Sequence, residues 1–448
     1  MSPAWPSGTP KVDARSPGPP SRGQLVNWLA STLGLSAVYI AATIPNLARY
    51  PHLSGDDSWV MSASHKLATT GVFGSDLYAG FHGADVRYFI ALPVYHALQA
   101  LSFVTFGSGI AQARGVTVAS AVVVLWAATW LSLRWHGPRA AILSGLLLLF
   151  WRVDLVEIAP GLPMLAVGRT GRYDMTAVAL LWLTVVCLDA TFRRAPERSR
   201  WTASLTGLCA GLATLTQFFG AFSVLIVASP LLWRAGRRRL IGQAGVWIAA
   251  GFALVVLPYA AFVVRHWSDF VGQSALKAGR GDFDRPSFYV DNLGDEAERY
   301  QRLITSPAGV GGWLFIAAFV PALGWLIWRC RRRTDFGDRL LLAALIAPAV
   351  ALAFVDDTNV GLYTIVLWPG CCLAVAIALV SAFGWLRRRL TPRHATAQTV
   401  LTVGLAAALV AGLAFAIVDG VAAYRDDRRQ AARVTDYGDV ANRLDGLL

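Results

Sequence analysis

The sequence has little charge, no motif for binding a nucleotide and no serine-hydrolase motif. Charged residues make up 15% of its 448 positions, whereas a soluble protein typically has about 25%. Neither Gly83 nor the glycines in 308–312 form a phosphate-binding loop between a strand and a helix, and no Gly-x-Ser-x-Gly element occurs. Hydrophobic residues, in contrast, make up 55% of the chain, and the mean hydropathy is +0.50. This composition indicates an integral membrane protein.

The sequence also has no obvious metal site. Its five cysteines lie in or beside apolar runs without metal-ligand spacing, and the adjacent pair Cys371 and Cys372 is unsuited to a disulfide, so we interpret all five as packing residues. His65, His82 and His96 likewise lack a metal-ligand spacing. The net charge of +13 comes from arginine bursts between apolar runs and not from one basic patch, so we predict no nucleic-acid partner.

The apolar runs predict an all-α polytopic membrane protein with about eleven transmembrane helices. A helix needs about 20 predominantly apolar residues to cross about 30 Å of hydrocarbon. The predicted spans are 26–46, 113–133, 139–156, 174–192, 202–218, 219–233, 240–263, 309–328, 338–354, 361–384 and 398–417.

The distribution of arginine predicts the orientation of these spans. Bursts of arginine fall in every second loop, and such loops are typically cytoplasmic. They are Arg134 and Arg139; Arg193, Arg194, Arg198 and Arg200; Arg234 and Arg237 to Arg239; Arg329, Arg331 to Arg333 and Arg339; and Arg387 to Arg389 and Arg393. We therefore predict a bacterial plasma-membrane protein whose membrane module, 25–417, carries its polar chemistry on the extracytoplasmic face.

The remaining segments follow from that orientation. Residues 1–24 are rich in Pro, Ser and Gly and predict a disordered cytoplasmic N-terminus before an uncleaved first span. The outer loops are then 47–112, 157–173, 264–308 and 355–360, followed by an extracytoplasmic tail, 418–448.

One segment decides the span count. Residues 88–106 are apolar enough to cross a membrane, but Tyr88, Pro93, Tyr95 and Gln99 suit the headgroup region. We interpret this segment as an interfacial helix, because a further span would move every later arginine burst to the outside.

Acidic and basic residues concentrate in the predicted outer loops. Asp56 and Asp57 follow the first span and precede a predicted helix from Ser58 to about Thr69, while Asp174 stands at the start of a later span. On local grounds these acids could equally be helix caps or first-turn residues. The cationic residues in these places are Arg114, Arg169, Arg172, Lys277, Arg280 and Arg285, and they could be interface anchors or solvated surface groups.

The order of these motifs resembles that of the GT-C glycosyltransferases, particularly protein O-mannosyltransferases and lipid A aminoarabinose transferases. The matching elements are Asp56-Asp57 after span one, Phe106-Gly107 after the juxtamembrane helix, Arg114 opening span two, and Arg172-Tyr173-Asp174. The resemblance covers roughly residues 26–330. Two features depart from it, since the family's pair is Asp-Glu rather than Asp-Asp and its His-Pro-Pro-like element is absent here.

The resemblance implies a membrane glycosyltransferase that uses a polyprenyl-phosphate sugar donor and inverts the anomeric carbon. Asp56 matches the family's catalytic base, Asp57 could orient it, and Asp174 matches the second acid. A single base is chemically sufficient, because the phosphate leaves as a stable anion without needing a proton. The candidate ligands of the donor phosphate are Arg114, Arg172, Lys277, Arg280 and Arg285. A divalent metal is known in the superfamily, but we predict no metal or other cofactor here.

The sequence leaves the sugar and the acceptor open. The acceptor could be a lipid, a glycan or a protein. Two other classes of function also remain at this point, namely a polytopic transporter and an inactive structural membrane subunit. A transporter should have charged or broken helices near the bilayer midplane and related halves, and the sequence shows neither mid-span charges nor an internal repeat, although Pro230, Pro258, Pro348 and Pro369 interrupt spans.

Overall fold

The structure is a computed structural model of the 448-residue chain. The residues it describes are 20–51, 55–153, 161–195, 199–278, 286–305, 310–332, 335–355, 361–389, 414–415, 418–422, 425–426 and 429. Within these ranges the regular secondary structure is entirely helical, which confirms the predicted all-α fold class.

Sixteen α-helices occur in the described ranges up to residue 389. The first eight are α1 (Arg22–Thr43), α2 (Gly55–Thr70), α3 (Pro93–Phe106), α4 (Ile110–His136), α5 (Pro138–Phe150), α6 (Pro163–Gly168), α7 (Asp174–Arg193) and α8 (Arg200–Thr214). The others are α9 (Phe222–Ala228), α10 (Arg234–Arg239), α11 (Gly245–Arg265), α12 (Trp267–Ala278), α13 (Pro286–Thr305), α14 (Val310–Arg332), α15 (Phe336–Val355) and α16 (Trp368–Arg389).

Seven helices in the described ranges are long and apolar enough to cross a membrane. They are Arg22–Thr43, Ile110–His136, Asp174–Arg193, Arg234–Arg265, Gly312–Arg332, Phe336–Val355 and Trp368–Trp385. Each of the seven overlaps a predicted span. The span Arg234–Arg265 joins α10 to α11 through a π-helical turn at Leu240–Ala244.

The other predicted spans correspond to shorter helices or lie outside the described residues. Pro138–Phe150 and Phe218–Leu232 are apolar but shorter, and α8 has 15 residues. The predicted span 398–417 falls almost wholly outside the described ranges. The total of eleven therefore remains a prediction, whereas seven helices have the length and composition of a full crossing.

The interfacial segment 88–106 is helical only over α3, which has 14 residues. At about 1.5 Å per residue, α3 is about 21 Å long and shorter than the hydrocarbon layer of about 30 Å. Pro93 occupies its first turn, and Tyr95, His96, Gln99 and Phe103 are buried. This helix packs against the bundle along its buried side, and its place at the membrane interface stays a prediction.

The core of the bundle is built around α4 and α7, whose buried faces pack on each other and on α5, α8, α15 and α16. Leu125, Leu131, Leu181 and Trp182 are fully buried at the centre of this core. The end of α1 lies beside the starts of α4 and α7. The segment after α1 and the segments before α4 and α7 therefore meet at one end of the bundle.

A fragment of the predicted C-terminal tail also lies in the described ranges. Residues 418–422 are helical, and Asp419 pairs with Arg152 after α5 at 3.0 Å. This contact fixes the fragment beside α5. The sidedness of the tail in a membrane remains a prediction.

Candidate active site

Asp56 and Asp57 lie in the first turn of α2, which begins at Gly55 and not at Ser58 as the sequence suggested. The Asp56 carboxylate accepts a hydrogen bond from Trp59 Nε1 at 3.0 Å and pairs with the Arg172 guanidinium. Its side chain is 48% exposed. Asp56 therefore directs its carboxylate to other side chains and keeps an open face.

Asp57 points the opposite way, into the protein. Its side chain is buried, with Oδ2 at 3.2 Å from Arg114 Nη2 and Oδ1 accepting from the Gly171 backbone N–H at 2.8 Å. Arg114 is fully buried in the first turns of α4 and also donates to the Leu47 carbonyl at 2.9 Å. This pair joins α2, α4 and the segment after α6, so it stabilises the packing of these three elements next to Asp56.

Arg172 connects the two remaining acids. Its Nη1 pairs with Asp56, while its Nε donates to Asp174 Oδ2 at 2.8 Å. Asp174 is fully buried and stands at the first residue of α7, where the helix dipole favours a carboxylate. Asp174 Oδ1 also lies 3.5 Å from Gln217 Nε2. One guanidinium thus bridges a half-exposed carboxylate and a fully buried one.

The charge on this bridge is firmly fixed. Burial alone would lower the pKa of Arg172, but the neighbouring Asp174, and then Asp56, raise it above its ordinary value. Burial, reinforced by Asp174, raises the pKa of the Tyr173 hydroxyl above its ordinary value. Tyr173 therefore stays protonated at neutral pH, which leaves the carboxylates as the available bases.

Aromatic and polar side chains hold the segment 169–174 in place. The Tyr173 ring contacts the rings of Trp59 and Tyr95, with centroids 6.2 Å apart in each pair. Tyr95 on α3 shares a hydrogen bond with Thr117 on α4 at 3.0 Å, and Thr117 donates to the Arg172 carbonyl at 3.3 Å. The backbone carrying Arg172 is therefore fixed between α3 and α4.

Five of the eight predicted site residues come together in one cluster. They are Asp56, Asp57, Arg114, Arg172 and Asp174. The other three do not enter the described site. Lys277 lies in the last turn of α12, where its side chain falls outside the described residues, and Arg280 and Arg285 lie outside them altogether.

The structure adds residues that sequence reasoning did not identify. Gln217 reaches Asp174 because the α-helix is interrupted between α8 and α9. Its own Oε1 accepts from the Phe218 N–H at 2.9 Å. A polar residue between two short apolar runs was the available signal for this break. Trp59 and the Gly171 amide contact the acids only through tertiary packing, and no local pattern identifies them.

The donor set of the cluster suits cationic side chains more than a metal ion. Three carboxylates face two guanidinium groups. Arg172 lies between Asp56 and Asp174, and Arg114 occupies the position beside Asp57 that a metal ion would need. Across the described ranges, no group of three or more His, Cys, Asp or Glu side chains is arranged to hold a metal.

A large apolar groove adjoins the cluster. It has a volume of about 1130 Å³ and lies between α1, α3, α4 and α7. Its walls include Ile40, Ile44, Leu98, Leu101, Val116, Val123, Leu180 and Leu183, and its polar lining includes Asn46, Arg49 and Gln112. Leu47, whose carbonyl binds Arg114, lines the groove as well. The groove therefore begins beside the acidic cluster.

Comparison with protein families identifies the type of enzyme. The model of glycosyltransferase family 87 matches residues 93–355, which is more than half of the chain. The chain belongs to glycosyltransferase family 87. The matched region contains Arg114, Arg172, Asp174 and Gln217, while Asp56 and Asp57 precede it. This family membership favours glycosyl transfer over the transporter alternative.

Solved structures show the same fold in other glycosyltransferases. ArnT from Cupriavidus metallidurans bound to undecaprenyl phosphate has a TM-score of 0.58 and 16% identity over 91% of this chain and 76% of its own. The Archaeoglobus fulgidus oligosaccharyltransferase in complex with Zn and sulfate has a TM-score of 0.60 and 14% identity, covering 88% of this chain and 53% of its own. At these identities the likeness establishes the fold, and this family 87 chain has the GT-C architecture.

A third solved structure, determined with other ligands, also resembles the chain. The archaeal oligosaccharyltransferase AglB from Archaeoglobus fulgidus, in complex with an inhibitory peptide and a dolichol-phosphate, has a TM-score of 0.55 and 13% identity. This chain spans only 56% of that protein's length. No curated protein sequence matches the chain.

Proposed function

We propose that this family 87 enzyme transfers a sugar from a polyprenyl-phosphate donor to an acceptor hydroxyl, with Asp56 as the general base. The main support is the unequal exposure of the three acids. Asp57 and Asp174 are buried and held in ion pairs, whereas the Asp56 side chain is 48% exposed. Asp56 is therefore the carboxylate of this cluster that an acceptor can approach.

The proposed step is a single displacement at the anomeric carbon. The acceptor hydroxyl loses its proton to the Asp56 carboxylate while its oxygen forms the new glycosidic bond. The bond from the anomeric carbon to the donor phosphate breaks, and the phosphate leaves with the electron pair. The attacking and leaving oxygens stand on opposite faces of the sugar, so the configuration inverts.

Arg172 is the described cation best placed to stabilise the leaving phosphate. Its guanidinium already contacts Asp56, and its charge is maintained by Asp174. A fixed positive charge beside a developing anion stabilises the transition state without reorganisation. We expect Arg114 to act indirectly, because its fully buried guanidinium is committed to Asp57 and the Leu47 carbonyl. Lys277, Arg280 and Arg285 remain proposals.

The apolar groove supports a donor with a long hydrocarbon chain. Along α4 it extends from Ala111 to Val123, which at about 1.5 Å per residue is about 18 Å, or about three fifths of the hydrocarbon thickness. Exposed Leu101 and Phe106 on α3 continue its apolar surface. A polyprenyl chain in this groove would hold the phosphate at the depth of the acidic cluster.

The same arrangement supports action at the extracytoplasmic membrane surface. The arginine-rich ends of α4, α7 and α14 lie at the opposite end of these helices from the cluster, and arginine-rich ends are typically cytoplasmic. We propose an acceptor on the outer surface of a bacterial plasma membrane. A lipid, glycan or protein acceptor would fit this location.

The direct test is sugar transfer by the purified protein in lipid nanodiscs. Radiolabelled polyprenyl-phosphate sugars, one sugar at a time, are supplied with membrane extract as acceptor source, and products are separated and their anomeric configuration is read by NMR. We expect transfer from one donor with inversion, and inhibition by added undecaprenyl phosphate. Retention would contradict the single displacement, and absence of transfer from the whole donor set would contradict the proposed donor class.

The groove has its own test. The position of a Cβ at Gly115, which lines the groove, meets no atom within 4 Å, so the side chain of Gly115→Leu starts in open space and narrows the groove. Gly324 on α14 is equally open and lies away from the groove, so Gly324→Leu is the matched control. We expect Gly115→Leu to raise KM for the donor about 10-fold and the control to leave it unchanged. Equal values for both variants would contradict a donor chain in this groove.

A further inference from the structure

The segment 82–89, between α2 and α3, docks against α12, although about 180 residues separate the two in sequence. Four positions on α12 make this contact, namely Asp269, Phe270, Gly272 and Gln273. Asp269, Gly272 and Gln273 lie on one helical face. The contact joins the first long loop of the chain to the segment that follows the span Arg234–Arg265.

Gln273 forms the centre of this contact. Its side chain is fully buried, and its Nε2 donates to the carbonyls of His82 at 3.0 Å and Arg87 at 2.7 Å. Its Oε1 accepts from the Phe89 N–H at 2.7 Å. A glutamine amide has two N–H donors, and both are used here on backbone carbonyls. Gln273 thus satisfies three backbone groups of one loop with a single side chain.

The residues around Gln273 bring the same two segments together. Arg87 Nε pairs with Asp269 Oδ2 at 2.7 Å, one turn before Gln273. A Cβ on Gly272 would lie 2.4 Å from the His82 ring, so this close approach requires glycine or movement of the ring. The Phe89 ring packs on Phe262 and Phe270 with centroids 5.3 and 5.8 Å apart. Polar and aromatic contacts therefore fix the position of Phe89.

A continuous series of contacts runs from Phe89 to the acidic cluster. Phe89 stands four residues before α3, and Gln99 on α3 donates to the Gly171 carbonyl at 3.4 Å. Gly171 in turn donates its N–H to Asp57 Oδ1 at 2.8 Å. Tyr95, also on α3, packs on Tyr173 beside Arg172. The position of α3 thus bears on the backbone that carries Arg172.

We infer that Gln273 is a positioning residue that sets α3, and through it the segment 169–174, against Asp56 and Asp57. This inference rests on the proposed function for its kinetic consequence. Gln273 itself does not touch the acids. Its removal would leave two carbonyls and one N–H of the segment 82–89 without the partner they have here, and this loop would then move relative to α12.

The test uses two substitutions at this position in the full-length protein. Gln273→Met keeps the length of the side chain but removes all three hydrogen bonds, whereas Gln273→Glu keeps an acceptor for the Phe89 N–H and loses both donors. Gln24→Met is the control, because Gln24 belongs to an exposed capping box at the N-terminus of α1 and does not contact the segment 82–89.

Hydrogen–deuterium exchange of the protein in nanodiscs provides the first readout, and it needs no substrate. We expect both variants to exchange faster in peptides covering 82–89 and also in the peptide containing the Gly171 amide. The control should match wild type in both regions. Faster exchange confined to 82–89 and α12 would overturn the inference, because Gln273 would then hold only its local loop.

Steady-state kinetics provides the second readout. We expect Gln273→Met to lower kcat about 10-fold or more while KM for the donor stays within about twofold, because misplacement of catalytic groups slows the reaction step more than binding. A KM effect with unchanged kcat, or a matching loss of folded protein, would overturn the positioning role. If wild type transfers no sugar, the proposed function fails, and the exchange measurement still decides whether Gln273 positions the segment 169–174.

Discussion

The two ends of the bundle both contain buried ion pairs, but they use them differently. At the arginine-rich end, Asp189 accepts from Trp135 Nε1 at 2.9 Å and pairs with Arg193 at 2.8 Å. Nearby Asp338 pairs with Arg329 at 2.7 Å and with His136 at 3.1 Å. Both carboxylates are at most 3% exposed.

The end with Asp56 has the same ingredients and one important difference. Asp57 and Asp174 are as enclosed as the acids at the arginine-rich end, yet Asp56 is 48% exposed while still touching Arg172. Enclosed pairs fix helices to one another, and removing one partner leaves an uncompensated buried charge. An exposed carboxylate beside an enclosed cation is available to a substrate. The contrast therefore separates the enclosed acids from Asp56, the base that we propose.

The largest effect on stability is expected at the arginine-rich end. Asp338→Ala leaves Arg329 and His136 without their shared carboxylate, and we expect a loss of about 3–5 kcal/mol in unfolding free energy. Denaturation of the detergent-solubilised protein by SDS measures it. Asp335→Ala, which removes only an acceptor of the Gly337 N–H, should cost about 1 kcal/mol or less. If Asp338→Ala and Asp335→Ala lost the same unfolding free energy, the enclosed ion pair of Asp338 would have no special structural role.

In its effect on the unfolding free energy, Asp57→Asn should resemble Asp338→Ala more than it resembles a substitution of Asp56. The amide can still accept from the Gly171 N–H, but Arg114 loses its buried counter-charge, so we expect a loss of about 3 kcal/mol in unfolding free energy. Asp57→Glu is the control that keeps the charge. A stability within about 0.5 kcal/mol of wild type would mean that Asp57 is not a structural acid.

A neutral buried group next to the site predicts a pH dependence. Burial lowers the pKa of His96 on α3 to about 4, and its Nδ1 shares a hydrogen bond of 2.9 Å with Ser64. Since the unfolded chain has an ordinary histidine pKa of about 6.5, it binds the proton first as pH falls, and stability declines between about pH 6.5 and 4. At pH 5 we expect about 2 kcal/mol less stability than at pH 7.5. His96→Gln should remove that part of the decline, and an unchanged profile would show that His96 does not cause it.

The smallest expected effect tests the shared cation. Arg172→Lys keeps the charge but cannot contact Asp56 and Asp174 through two separate nitrogens of a planar group. We expect kcat to fall about 10-fold, which is about 1.4 kcal/mol, with a thermal midpoint close to that of wild type. The matched control is Arg193→Lys, whose pair with Asp189 lies at the arginine-rich end and is similarly enclosed. A greater loss in the control than in Arg172→Lys would contradict the role of Arg172.

Much of the fold could be predicted because span length and arginine placement are local properties of a sequence. The positions of Asp56, Asp174 and Arg172 followed from motif order, and the structure brings them together. The α2 boundary at Gly55 was missed because Asp56 and Asp57 suit an N-cap as well as a first turn, so the local sequence does not fix the first helical residue.

The remaining contacts depend on tertiary packing and could not be predicted. Gln217 and Gln273 are isolated glutamines in sequence, and nothing nearby indicates that one meets Asp174 and the other meets the loop before α3. Asp189 and Asp338 likewise lie beside arginines at span ends, which gave no sign that their carboxylates would be enclosed. Long-range pairing fixed these roles, and no short motif encodes it.

The most direct measurement is the single-turnover rate of Asp56→Asn with donor bound, normalised to folded protein. The ion pair of Asp56 with Arg172 is half-exposed, so we expect Asp56→Asn to change the unfolding free energy of the protein by about 1 kcal/mol or less. Donor affinity should change little. Loss of the base should lower the transfer rate about 100-fold or more. A transfer rate within about threefold of wild type would contradict the assignment of Asp56 as the base.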